Sequence, residues 1–140
     1  MTTCQKHRAA TGFDLRRLNM LLAVLEKRAG FKLTVKDVFL NVAGGLKISD
    51  PATDLAILAC ILSSNLDHAI GHQTAFAGEI GLTGEIRAVS RIEQRIAEAD
   101  RLGFSRIFVP SFNKGSDNSS LSIEIIKVGR VEDLLKKLFR

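Results

Sequence analysis

Tryptophan and tyrosine are absent from this sequence, and only two cysteines, two prolines and two methionines occur in its 140 residues. Without Trp and Tyr the usual stacking platforms for single-stranded nucleic acid are missing, although eight phenylalanines remain. Cys4 stands near the N-terminus and Cys60 within an apolar stretch. So wide a spacing argues against a disulfide framework and for a reducing compartment. Cys4 and His7 form one pair with no second pair at ligand spacing, which argues against zinc. His68 and His72 are four apart, but Gly71 interrupts any helix between them, so they read as a solvated helix end. No apolar run approaches the roughly 18 residues of a membrane span. The opening "MTTCQKHRAATG" has no signal-peptide core. Residues 1–12 therefore read as a mobile tail, or the remnant of a cut from a longer chain.

What is present is an ordinary globular composition, 46% hydrophobic and 25% charged, with a net charge of +5 and a pI near 9.6. The length suits one domain with a real core, spanning residues 13–140. Moderate basicity is compatible with a polyanionic partner.

Along the chain, "DLRRLNMLLAVLEKRAG" predicts a helix capped by Asp14 and stopped by Gly30, with an apolar stripe of Leu18, Leu21, Leu22 and Leu25. "VKDVFLNVAG" predicts a strand ending at Gly44-Gly45, with "LKI" pairing back across the turn. Asp50 and Pro51 start a second helix, to about Asn65, whose centre "LAILACIL" is apolar on nearly all sides and predicts a buried central helix. "TAFAGEIGLTGEIRAV" predicts two short strands around a turn at Thr83-Gly84, a structural turn rather than a phosphate cradle. "SRIEQRIAEADRLGF" predicts a third helix with a Ser90/Glu93 capping box, ended by Gly103. "RIFVP" and "LSIEIIKV" predict strands around a polar loop, and "RVEDLLKKLFR" an amphipathic terminal helix. The class is α+β around one core, with a mixed sheet, a buried central helix and flanking helices.

The catalytic motifs are mostly missing. No G-x-x-x-x-G-K-[ST] loop occurs, and none of the three histidines stands near a serine elbow. Lys47 and Ser49 make a serine–lysine dyad conceivable, but Ser49 and Thr53 read more simply as turn or capping residues.

Three segments carry a resemblance: "TGFDLRRLNMLLAVLEKRAG", "DVFLNVAGGLKISDPATDLAI" and "GEIGLTGEIRAVSRIEQRIAEADRLGF". Together they resemble the C-terminal domain of the bacterial RadA (Sms) family, from about Thr11 to Arg140. That domain is similar in fold to the Lon proteolytic domain, whose serine lies in a segment like G-P-S-A-G and whose lysine lies in one like G-G-L-K. Laid over this chain, the serine position falls on Ala52 and the lysine position on Glu93. The resemblance thus implies a pseudo-protease with no chemistry of its own.

It further implies an oligomerising, DNA-binding module of a RecA-like ATPase acting in branch migration during recombinational repair, in the cytoplasm. ATP, Mg and Zn would belong to other domains of the full-length protein, and no cofactor to this chain. The implied partners are single-stranded or branched DNA bound without regard to sequence, further copies in a six-membered ring, and the RecA recombinase, with no membrane. Candidate phosphate contacts are Arg16, Arg17, Lys47, Arg87 and Arg91. Arg16 and Arg17 open the first helix, where cations oppose the macrodipole. The alternative is a residual Ser/Lys-type peptidase with displaced catalytic residues.

Overall fold

The computed structural model describes residues 7–33, 36–42, 47–116 and 120–139. The chain divides into two compact units, residues 1–50 and 51–140, where the sequence reading expects a single core.

The first unit is a β-α-β arrangement. Strand β1 (Arg8–Thr11) pairs in parallel with β2 (Val38–Asn41), and helix α1 (Leu15–Ala29) connects them. Asp14 caps α1 by accepting the Arg16 N–H at 2.8 Å, and Gly30 ends it in the left-handed region. Leu18, Leu21, Leu22, Val24 and Leu25 are buried along one face, and α1 lies against β1. Part of the expected tail is thus a strand. "RAAT" has no hydrophobic alternation to announce it; its pairing with β2 supplies what local propensity does not. The proposed turn at Gly44-Gly45 lies outside the described residues. Ile48 does not pair back with β2. Its N–H donates to the Gly12 carbonyl at 2.7 Å.

In the second unit, Pro51–Thr53 form a 3-10 turn that leads into α2 (Asp54–Leu66). Leu55, Leu58 and Leu62 are fully buried, as expected of a central helix. A parallel sheet follows in the order β3-β6-β7, built from Thr74–Phe76, Arg106–Pro110 and Glu124–Val128. A separate hairpin pairs β4 (Glu79–Ile80) with β5 (Ile86–Arg87). The stretch expected to give two strands therefore gives three, and its first strand joins the other sheet. Instead of one mixed sheet there are small parallel and antiparallel sheets, within an α+β class.

Helix α3 (Ile92–Arg101) buries Ile92, Ile96 and Ala99 in a cluster with Ile107, Val109 and Ile123 of the sheet side. Helix α4 (Val131–Leu138) packs on β7 and buries Val131, Leu134 and Leu138. The Ser90/Glu93 capping box does not form. Arg91, not Ser90, precedes the helix, in a left-handed conformation (φ 56°, ψ 42°) with no side-chain cap bond. The Ser90 carbonyl instead accepts from Arg95 Nε at 2.8 Å.

Candidate functional site

All three strands of the parallel sheet end on the same side. Gly78 follows β3. Its N–H donates to the Ala52 carbonyl at 2.9 Å, and its carbonyl accepts the Leu55 N–H at 3.0 Å. A side chain at Gly78 would be crowded: a Cβ there would meet Ile86 Cγ2 at 3.0 Å and Leu55 Cδ2 at 3.1 Å, so those side chains would have to give way. One residue into α2, Asp54 is fully buried, and its carboxylate accepts the Ile80 N–H at 3.0 Å. Ala52 is therefore a buried methyl in a tightly bonded turn.

The loop after β6 is held by Asn113. Its side chain accepts the Val89 N–H at 3.0 Å and donates to the Val89 carbonyl at 2.8 Å. This bonding draws Gly115 against the start of α3, where a Cβ would overlap the carboxylate of Glu93. Glu93 is exposed there, in the first turn of α3, where a negative charge suits the helix dipole.

Arg87 and Arg91 stand on either side of Val89. The Arg87 guanidinium is paired with Glu85, through Nε at 3.3 Å and Nη2 at 3.2 Å. The Glu85 carboxylate also accepts from the Thr83 hydroxyl and from the Thr83 N–H. The Thr83 hydroxyl, the backbone and Arg87 together push the Glu85 carboxyl down to about 2. Arg91 is exposed at its left-handed corner.

The first unit repeats the arrangement. Its two parallel strands also end on one side, where α1 begins. The Ile48–Gly12 bond brings the exposed Lys47 to that end of the strands, and Arg16 and Arg17 stand in the first turn of α1. Arg16 is exposed; Arg17 is half-buried and engaged. Ser49 is exposed as well. The structure thus groups Arg16, Arg17 and Lys47 in one unit, and Ala52, Arg87, Arg91 and Glu93 in the other. Charge is divided unevenly. Residues 1–50 hold nine Lys or Arg against four Asp or Glu, the whole net charge of +5, whereas residues 51–140 hold eleven of each.

Among the described residues, no group of three or more His, Cys, Asp or Glu is placed to hold a metal ion. Nor is any helix long and apolar enough to cross a membrane. Sequence reasoning missed Asn113 and Asp54 as organisers, and it missed Phe39, which is 71% exposed on β2. A polar residue beside an apolar run was the available signal for Asp54; Asn113, within a polar loop, and Phe39 had none.

Residues 12–113 match the family described as "Subunit ChlI of Mg-chelatase". The chain belongs to this family. It is also similar to proteins named "DNA repair protein RadA". The match is 47% identical over 132 residues with that of Streptococcus pneumoniae (strain ATCC BAA-255 / R6), covering 94% of this chain and 31% of that protein. With Bacillus subtilis (strain 168) it is 48% over 129 residues, 92% of this chain and 28% of that protein. With Listeria monocytogenes serovar 1/2a it is 45% over 130 residues, 93% and 28%. The chain spans less than a third of the length of these relatives.

Proposed function

We propose that this chain is a non-catalytic scaffold domain of a DNA repair protein, one that self-associates and binds DNA through its phosphates. What carries the reading is similarity to DNA repair protein RadA over 92–94% of this chain. In this reading the fold is Lon-like, with Ala52 and Glu93 in the two positions where a protease would hold its serine and lysine. An alanine has no nucleophile, and a carboxylate cannot act as a lysine does. The displaced alternative, Lys47 with Ser49, has little support. Both are exposed, outside the desolvated setting that such a dyad uses.

The DNA contacts are Arg16, Arg17 and Lys47 in the charged unit, with Arg91 and Arg87 in the other. Arg87 is the weakest of the five, because Glu85 already neutralises it. Copies of the chain assemble into a ring, with six members as the expected number, and the ring multiplies a modest charge into a strong polyanion-binding surface. The domain uses no cofactor of its own. It serves an ATPase that carries ATP, Mg and Zn in other domains, works with the RecA recombinase in branch migration, and resides in the cytoplasm.

A salt titration of DNA binding, with light scattering on the same samples, tests this. The expected result is an assembled species that binds duplexes of unrelated sequence alike, with affinity falling steeply as salt rises. A strictly monomeric chain that binds no DNA at low salt would overturn it. So would casein hydrolysis that is abolished by Ser49→Ala or Lys47→Ala, which would reinstate a peptidase.

A further inference from the structure

In the first unit, β1 and β2 expose one face. Arg8, Ala10, Val38 and Leu40 are partly buried, while Ala9, Thr11, Phe39 and Asn41 are exposed. Phe39 is 71% exposed, although it sits in a hydrogen-bonded ladder and not on a free loop. Its register partner is Ala9, whose methyl leaves the ring uncovered.

We propose that Phe39 is a stacking platform for a base of single-stranded nucleic acid. The inference rests on the DNA-binding reading above and extends it from phosphate contacts to a base contact. Charge favours this occupant. Phe39 belongs to the unit that carries the whole net positive charge, whereas the comparably exposed Phe112, at 70%, belongs to the neutral one. Spacing favours it too. Asn41 and Thr11 lie two residues further along the same face, about 7 Å away at a strand's rise per residue. There they offer side-chain donors and acceptors to a base edge. Just beyond, the strands end at Gly12, where the bond from Ile48 brings Lys47. A strand of nucleic acid lying along this face would place a base on Phe39 and its next phosphates toward Lys47 and Arg16. Stacking is tolerant of sequence, because every base has a π-face.

The chain has no tryptophan or tyrosine, so Phe39→Trp creates a single fluorophore at the proposed contact. Adding an unlabelled thymidine 20-mer should quench its emission, with a midpoint that matches the affinity measured by anisotropy of a labelled oligomer. Phe39→Ala and Phe39→Leu should each weaken single-strand binding about tenfold. Duplex affinity and the mass in light scattering should stay as in the unaltered chain. If the Phe39→Trp variant binds the oligomer with no change in emission, or if Phe39→Leu binds as tightly as the unaltered chain, base stacking is overturned while phosphate binding stands. If Phe39→Ala changes the assembled mass and weakens single strands and duplexes alike, the face is a contact between copies and the inference is overturned. If the unaltered chain binds neither single strands nor duplexes at low salt, the DNA-binding reading itself fails, and the inference with it.

Discussion

Asn113 holds Val89 at both ends of its peptide group, accepting the Val89 N–H at 3.0 Å and donating to the Val89 carbonyl at 2.8 Å. A side-chain amide here takes the place of a neighbouring strand. It ties the loop after β6 to the corner between β5 and α3, and so fixes the surroundings of Arg91 and Glu93. Replacing it by Ala leaves two half-buried backbone groups without that partner. The expected cost is about 1–3 kcal/mol in urea unfolding. Asn113→Asp keeps the acceptor for the N–H but sets a carboxylate oxygen against the Val89 carbonyl. It should cost more than Asn113→Ala at pH 7 and recover part of the loss at pH 4, where a protonated carboxyl can donate. Equal losses at both pH values would mean that the donor half of the pair is unimportant.

Glu85 gives the hairpin a pH signature. Its carboxyl lies at about 2, below the ordinary 4.5. A folded-state value below the unfolded one means that the ionised form favours folding. The contribution is complete above about pH 4.5 and is lost as pH falls through about 2. Thermal unfolding of the unaltered chain and of Glu85→Gln should therefore differ at pH 7, and the difference should close between pH 4.5 and 2. A gap that persists unchanged at pH 2 would show that ionisation of Glu85 is not its source.

Gly78 tests the packing around Ala52. A Cβ would press on Ile86 and on Leu55, whose side chains are fully buried. Gly78→Ala should destabilise by about 1–3 kcal/mol through overpacking. If the two backbone bonds that flank Gly78 matter as argued, amide exchange should also quicken at Leu55. An Ala variant as stable as the original, with unchanged exchange at Leu55, would show that this corner yields easily.

These elements were unequally legible in the sequence. Helix α1 was clear because three independent signals agree within it: Asp14 at the cap, the leucine stripe and Gly30 at the end. The buried character of α2 was equally plain from "LAILACIL". Strand β1 was invisible, because "RAAT" becomes a strand only through a partner some thirty residues away. The capping box at Ser90 and Glu93 had the right letters but failed in the backbone, since Arg91 turns left-handed between Ser90 and the helix. The types of the candidate basic residues could be read from sequence. Their division between two compact units could not, because that division follows from non-local contacts and leaves no local pattern. Phe39 lay within "VFLN", where neighbouring apolar letters do not say which one faces water.

Arg91 offers the sharpest separation of binding from folding. It is one of two non-glycine residues with positive φ among the described residues, the other being Asp67 at the end of α2. Holding a side chain in that region costs about 1–2 kcal/mol, and such strain collects where a side chain is needed for function. Arg91→Gly removes the strain, and the extra freedom of glycine in the unfolded chain takes back part of the gain. The expected net effect is unchanged or higher stability, by up to about 1 kcal/mol. If Arg91 contacts a phosphate, the same substitution should weaken every DNA sequence about equally and flatten the salt dependence by roughly one unit of slope. Arg91→Lys keeps the charge, so it should keep most of the binding and all of the strain. Light scattering on each variant excludes loss of assembly as the cause. Lower stability in Arg91→Gly together with unchanged DNA affinity would make Arg91 a structural corner and leave Arg16, Arg17 and Lys47 as the phosphate contacts.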